Sequence, residues 1–203
     1  MSKLKALIFD AFDTLLTDGC RESGDRLAKE KGLSNWNELR LQLPSWMEHW
    51  EKFWLGEIDE EGMTRRITLD LNRGTIKRFF NNWERFTKAD KKMVDLLGEL
   101  RKKKDLKLGM LANAPSKLVV PLKKEIPLNF FDVVLVSCEE GMMKPDQRIF
   151  ELMAKKLEVK KEECLFIDDS QMDVQAAKKI GMKAIQFKGY QDIRKELTAR
   201  EVI

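Results

Sequence analysis

Five short apolar runs, separated by segments of helical periodicity, constrain this chain more than any other feature. They are Leu4 to Phe9, Leu106 to Leu111, Val133 to Val136, Leu165 to Ile167 and Ala184 to Phe187. Near-continuous apolar runs of this length are what strands buried on both faces look like. Between the later runs, Ile149, Phe150, Leu152, Met153 and Leu157 recur at helix spacing. Val174, Ala177 and Ile180 do the same, and Gly181 then stands where a left-handed cap would end the helix. Strand and helix alternation with short links predicts an α/β fold with a doubly wound, mostly parallel sheet and right-handed crossovers. Asp10 directly follows the first run, and open α/β sheets place their chemistry at the carboxyl ends of strands.

The region from about Thr17 to Phe86 has no run of the buried-strand kind, yet it holds all five tryptophans: Trp36, Trp46, Trp50, Trp54 and Trp83. Trp46, Trp50 and Trp54 are spaced four apart and share one helical face, with Phe53, Phe79, Phe80 and Phe86 adding bulk. A mostly helical subdomain inserted after the first strand accounts for this pattern. Its aromatics read either as the core of a small lobe or as a wall over a ligand cleft. Pro44 and Pro121 are expected at helix starts or bends, and Pro127 precedes the third strand. The single histidine, His49, lies between Trp46 and Trp50 and reads as a helix-surface or packing residue.

At 203 residues the chain suits one core plus a smaller insertion. Hydrophobic residues at 43% and charged residues at 35% exclude a disordered chain. No apolar run approaches the roughly 18 residues of a membrane span. The opening Met1-Ser2-Lys3-Leu4-Lys5 lacks an apolar signal region, so the expected compartment is cytoplasmic. Cys20, Cys138 and Cys164 fit neither a metal spacing nor a disulfide framework and are expected as thiols. A net charge of +4, with basic runs such as Arg101 to Lys104 mixed with acids, argues against nucleic-acid binding.

Four segments carry the chemistry-bearing residues. They are Phe9-Asp10-Ala11-Phe12-Asp13-Thr14-Leu15, Gly109-Met110-Leu111-Ala112-Asn113-Ala114, Gly141-Met142-Met143-Lys144-Pro145-Asp146 and Phe166-Ile167-Asp168-Asp169-Ser170-Gln171-Met172-Asp173. Acids at a strand terminus facing Asp10 would repel one another unless a cation or Lys144 lay among them. Magnesium suits hard carboxylate oxygens together with a substrate phosphate.

These segments closely resemble the four motifs of the haloacid dehalogenase-like (HAD) hydrolase superfamily, and the inserted region resembles its helical cap. The resemblance covers nearly the whole chain. It implies a Rossmann-like core from 1–16 and 88–203, with a cap over 17–87. It also implies Asp10 as the nucleophile, which at an ordinary carboxyl pKa is already ionised near neutrality. Lys144 would neutralise the nucleophile and an incoming anion, while Asn113 and Thr14 would contact the loop and substrate. Magnesium would be held by Asp10, Asp169 and the Phe12 main-chain carbonyl, with Asp168 and Asp173 as further ligands or neighbouring acids. A small phosphorylated molecule is the implied substrate, and self-association stays open.

Two departures from the motifs bear on the reaction. Phe12 stands where most family phosphatases carry a second Asp that protonates the leaving oxygen and then activates water. Losing such help typically slows a reaction by a factor of about 10² to 10⁴. Ala112 stands where a Ser or Thr would donate to the transferring group, a loss of about 1.5–3 kcal/mol for a bond to an anion. Asp13, at a position often held by Gly, points elsewhere than the missing acid and is expected to satisfy turn amides.

Three readings follow. One is a weak magnesium-dependent phosphatase limited to good leaving groups, which the retained acids favour. A second is a 2-haloacid dehalogenase-like hydrolase, since those enzymes carry an aromatic residue where Phe12 stands, and Arg40 falls roughly where their cap presents an arginine to the halide. The third is a catalytically weakened member that binds a small molecule or protein through its Trp-rich cap.

Overall fold

The computed structural model describes residues 3–68 and 70–203. Strand β1 (Ala6–Phe9) is followed by five helices, α1 (Gly19–Glu30), α2 (Trp36–Arg40), α3 (Pro44–Trp54), α4 (Glu60–Ile67) and α5 (Arg73–Phe86). The chain then alternates through α6 (Lys91–Leu100), β2 (Lys107–Ala112), α7 (Ser116–Glu125), β3 (Val133–Val136), the short α8 (Ser137–Glu140) and α9 (Gln147–Lys156). It closes with β4 (Cys164–Asp168), α10 (Gln171–Lys179), β5 (Lys183–Gln186) and α11 (Tyr190–Ala199). No helix among the described residues is long and apolar enough to cross a membrane.

The five strands form one parallel sheet in the order β3-β2-β1-β4-β5. The fold is α/β and doubly wound. Succession runs outward from β1 to β3, then returns to the other side of β1 at β4. That reversal puts the carboxyl ends of β1 and β4 side by side at the topological switch point, where such sheets bind ligands. Strand alternation sends Leu7, Phe9, Leu108, Met110, Leu165 and Ile167 to one face, against Met93, Leu96 and Leu97 of α6 and Ile193 and Leu197 of α11. Ala6, Ile8, Leu111, Leu135 and Phe166 go to the other, against Ile149, Phe150 and Met153 of α9 and Val174 and Ala177 of α10. Burying both faces is what makes these strands read as continuous apolar runs.

The strand ends differ from the apolar runs by one or two residues. β1 starts at Ala6 because its partner in β2 starts at Lys107, and Leu4 packs against the core outside the ladder. β4 gains Cys164 and Asp168, which pair with β1 and β5 respectively.

Helices α1 to α5 share a third cluster, in which Trp46, Phe53, Ile76, Phe79, Phe80 and Trp83 are buried. The α5 contributions Ile76, Phe79, Phe80 and Trp83 fall at i, i+3, i+4 and i+7, the stripe of an amphipathic helix. Asp18, Asn35, Asp59 and Asn72 cap α1, α2, α4 and α5 through side-chain acceptors, and Pro44 opens α3. Pro121, by contrast, lies inside α7. Rings interlock, with Trp46 and Trp50 centroids 5.4 Å apart and Trp50 stacked on Trp83 at 5.7 Å. His49 is half-buried with its Nδ1 2.8 Å from the Ser45 carbonyl, one turn back on α3. The two segments joining these helices to the sheet run together at a Leu16–Ala89 bridge, where the Thr17 amide donates to the Lys88 carbonyl at 2.9 Å.

Candidate active site

β1 delivers Asp10 to the sheet's carboxyl edge, and β4 delivers Asp168 beside it. Lys144 reaches between them from the loop after α8. Its Nζ donates to Asp10 Oδ1 and, at 2.6 Å, to Asp168 Oδ2. All three are buried, Lys144 at 3% exposure and Asp168 at 1%. Asn113, just past β2, fixes the lysine's backbone with both ends of its amide. Its Nδ2 donates to the Lys144 carbonyl and its Oδ1 accepts from the Lys144 amide, each at 2.9 Å. Asp168 Oδ1 accepts the Ser170 amide at 2.7 Å, so both of its oxygens are engaged. Ser170 caps α10, which puts Asp173 in that helix's first turn and turns it into the cleft.

Asp10, Lys144, Asp168, Asp169, Asp173, Asn113 and Phe12 line one cavity of about 150 Å³, together with Asp13, Asp18, Arg21, Trp54 and Ser170. Ligand pockets for drug-sized molecules typically span about 300–1,000 Å³, so this cleft encloses little more than a phosphoryl-sized group. Thr14 is buried beside the loop, and its hydroxyl has no partner among the described residues. Arg40 stands apart, exposed at the end of α2 and not among the lining residues. The arginine that does line the cleft is Arg21 on α1.

Asp13 is fully occupied. It sits at φ 57°, its Oδ1 accepts the Asp18 amide at 3.0 Å, and its Oδ2 lies 3.1 Å from Arg21. Such an arrangement braces the turn and leaves no carboxyl free to replace the acid missing at Phe12.

The charge balance is unequal. Burial opposes the charge on Lys144, but Asp10, Asp168 and Asp173 outweigh it and hold its ammonium above the usual lysine range. Burial pushes Asp10 up to about 8, against the pull of Lys144 and with Asp168 and Asp169 adding to the rise. A divalent cation held among these acids would pull Asp10 back toward the ionised form that a nucleophile needs. Burial first, then Asp168, also raises Asp169 to about 6. Asp173 rises to about 6 through burial, which Lys144 opposes and Asp168 reinforces. One lysine cannot neutralise this many acids.

Carboxylate oxygens of Asp10, Asp168 and Asp169 lie within 4.8 Å of one another. Asp10 Oδ2 and Asp173 Oδ1 are buried with no hydrogen-bond partner among the described residues. Buried polar atoms without partners are exceptional, and an all-oxygen donor set with excess negative charge fits a hard divalent cation.

Comparison with known proteins agrees with this geometry. A family model for haloacid dehalogenase-like hydrolases matches residues 4–181. The chain belongs to that family. Among curated relatives, the sesquiterpene phosphatase astK of Aspergillus oryzae is 29% identical over 143 residues, covering 69% of this chain and 72% of the relative. The phosphoglycolate phosphatase of Escherichia coli is 32% identical over 94 residues, covering 46% of this chain and 37% of the enzyme. A HAD family enzyme of Bacteroides thetaiotaomicron, solved with magnesium and inorganic phosphate, superposes with a TM-score of 0.71 at 20% identity, covering 91% of this chain and 94% of its own. L-2-haloacid dehalogenase from Xanthobacter autotrophicus does so at 0.64 and 20% identity, covering 97% and 83%. At such identities both structures speak for the fold.

The sequence had not marked Arg21 or Asp18 as site residues, while Ser170 stood only within the fourth motif and Trp54 only in an aromatic stripe readable as a lobe core or as a cleft wall.

Proposed function

We propose that this HAD-like hydrolase is a magnesium-dependent phosphatase that works through Asp10 and is restricted to substrates with good leaving groups. One observation carries the reading: at the buried Asp10–Lys144–Asp168 cluster, Asp10 Oδ2 and the neighbouring Asp173 Oδ1 have no hydrogen-bond partner among the described residues, in a cleft lined by several further acids. Asp10, Asp169 and Asp173 offer the oxygens to hold the cation, with the Phe12 carbonyl as a further donor, while Asp168 braces Lys144 and the Ser170 turn. Bound there, magnesium would supply a hard Lewis acid that draws charge off the phosphoryl oxygens.

Lys144 keeps a fixed positive charge beside the nucleophile and the incoming anion. Asp10 attacks phosphorus in line through one carboxylate oxygen. The bond from phosphorus to the leaving oxygen breaks, and that oxygen keeps the electron pair. Phe12 has no proton to give, so the group departs as an anion. An acyl or aryl phosphate tolerates this, whereas an alkyl phosphate is slow. Water then attacks the aspartyl phosphate, releasing phosphate and regenerating Asp10, with its proton passing to the departing phosphate. With Phe12 in place of a base, this second step is the slower one.

The names of the two curated relatives support the phosphatase class. The dehalogenase reading loses support because Arg40 lies outside the cleft and both Asp168 and Asp169 are present. The segment from 17 to 87 acts as the cap in this scheme, over a core of 1–16 and 88–203.

The test is phosphate release from p-nitrophenyl phosphate and acetyl phosphate, with magnesium or with chelator, by the wild type and Asp10→Asn. Release that needs magnesium and vanishes in Asp10→Asn supports the reading. Chelator-resistant halide release from 2-haloacids would replace it.

A further inference from the structure

Two cationic side chains line the cleft, Lys144 and Arg21. Lys144 is buried and committed to Asp10 and Asp168. Arg21 stands in the first turn of α1 with its side chain 64% exposed. Its guanidinium lies against acids that line the cleft: Nη2 is 3.1 Å from Asp13 Oδ2, and Nε is 3.9 Å from Asp18 Oδ2. The second distance is too long for a hydrogen bond, and a guanidinium has five N–H donors, so most of them are uncommitted. Its charge also reaches the sheet edge. Burial, Asp168 and Asp13 raise Asp169, while Lys144 and Arg21 draw it down.

The local structure fixes this position. Asp13 braces the guanidinium from the loop after β1, and Asp18 caps α1 by accepting the Cys20 amide at 2.9 Å. Gly19 seats the helix on the end of α5, since a Cβ there would stand 2.2 Å from the Trp83 carbonyl.

A second cavity, of about 440 Å³, shares Asp13, Asp18 and Arg21 with the cleft and has Arg85, Phe86 and Lys88 among its other walls. Its remaining acids are engaged, Glu22 with Arg26 at 2.8 Å and Asp25 with the Trp36 amide at 2.7 Å. The cleft itself, at about 150 Å³, has room for the phosphoryl group, so the rest of a substrate extends beyond it. Arg21 borders both spaces, where the bond to be broken would cross from one to the other.

We infer that Arg21 is a catalytic residue of the first step, its guanidinium donating hydrogen bonds to the leaving oxygen as the bond from phosphorus breaks. The inference deepens the phosphatase reading and rests on it. Phe12 offers the leaving oxygen no proton, and Arg21 offers it a fixed positive charge instead. The electron pair of the broken bond stays on oxygen, the guanidinium keeps its proton, and the group departs as an anion beside Arg21. Water attack on the aspartyl phosphate follows once that group has gone, and gains nothing from Arg21. The more charge a leaving oxygen must carry unaided, the more its departure depends on this residue.

The test is a series of esters, 2,4-dinitrophenyl, p-nitrophenyl and phenyl phosphate, with magnesium, compared among the wild type, Arg21→Met and Arg21→Lys. The ratio kcat/KM reports the step that expels the leaving group. Arg85→Met removes an equal charge from the second cavity alone and serves as the control. Inhibition by orthophosphate is measured on each variant.

Arg21→Met is expected to lower kcat/KM about hundredfold for phenyl phosphate, about tenfold for p-nitrophenyl phosphate and about twofold for the dinitrophenyl ester. Arg21→Lys should recover part of that spread, because it keeps the charge. Inhibition by orthophosphate, and kcat for the dinitrophenyl ester, should stay near the wild-type values. Equal loss for all three esters, no loss, an equal weakening of orthophosphate, or the same graded loss in Arg85→Met would overturn this inference and leave the phosphatase reading standing. A wild type that releases phosphate from none of the esters would overturn both.

Discussion

The sheet edge and the helical insertion bury opposite kinds of residue. The buried charged groups among the described residues are Asp10, Lys144, Asp168 and Asp173, at the carboxyl ends of the strands, in the loop after α8 or in the first turn of α10. Between Thr17 and Thr87 the buried polar residues are the uncharged Ser23, Thr64 and Thr87, set among tryptophan and phenylalanine rings. Taking charges out of water is unfavourable, whereas burying aromatic area is the main favourable term in folding. The sheet edge thus holds an electrostatic load that the rest of the molecule offsets, which is the expected division between a reactive site and the packing around it. Trp54 is where the two regions meet.

The contrast can be broken from either side. The largest effect is expected at the proposed nucleophile: Asp10→Asn should lower magnesium-dependent phosphate release roughly ten-thousandfold or more, read by single-turnover kinetics. Lys144→Met should disable turnover and also destabilise the chain by about 3–5 kcal/mol, because it leaves Asp10 and Asp168 buried without their counter-charge. Urea denaturation in chelator measures that loss, and added magnesium should recover part of it. On the other side, Trp83→Ala should cost a comparable 3–5 kcal/mol through the cavity it opens, with kcat for acetyl phosphate nearly unchanged when the protein is assayed well below its melting point. Phe12→Asp should raise phosphatase turnover by about tenfold to a hundredfold, as an acid and base return to the cleft.

The smallest effect concerns pH. The folded-state pKa of Asp173, about 6, lies above its ordinary value of 3.8. The folded protein therefore holds that proton more tightly than the unfolded chain. The resulting stabilisation is complete below about pH 4 and is lost as pH rises through 6. In chelator, Asp173→Asn should gain on the wild type by a few degrees in melting temperature between pH 4 and pH 7 (about 2–4 °C per kcal/mol at this size). A constant difference across that range would contradict the assignment.

Most of the sheet was readable because burial on both faces leaves an uninterrupted apolar run, and acids that follow such runs can hardly be anything but a site. What escaped depends on tertiary placement. Trp46, Trp50 and Trp54 share a face by spacing, yet eight residues at 3.6 per turn carry Trp54 about 80° round the helix from Trp46. That drift separates a core ring from a cleft wall, and no pattern in the chain announces it. Arg40 was put forward by resemblance alone, whereas which arginine reaches the cleft depends on how α1 and α2 dock, and the one that lines it is Arg21. The pKa of Asp10 was illegible too, because it reflects burial beside Asp168 and Asp169, residues more than 150 positions away.

The most direct measurement is mass spectrometry of the chain, quenched in acid after incubation with acetyl phosphate and magnesium. With Phe12 in place of a base, water attacks slowly and a phosphoryl group should accumulate on Asp10, disappearing with chelator and in Asp10→Asn. Phosphate release with no modified Asp10 at any time point, or a phosphoryl group carried by another residue, would contradict the account.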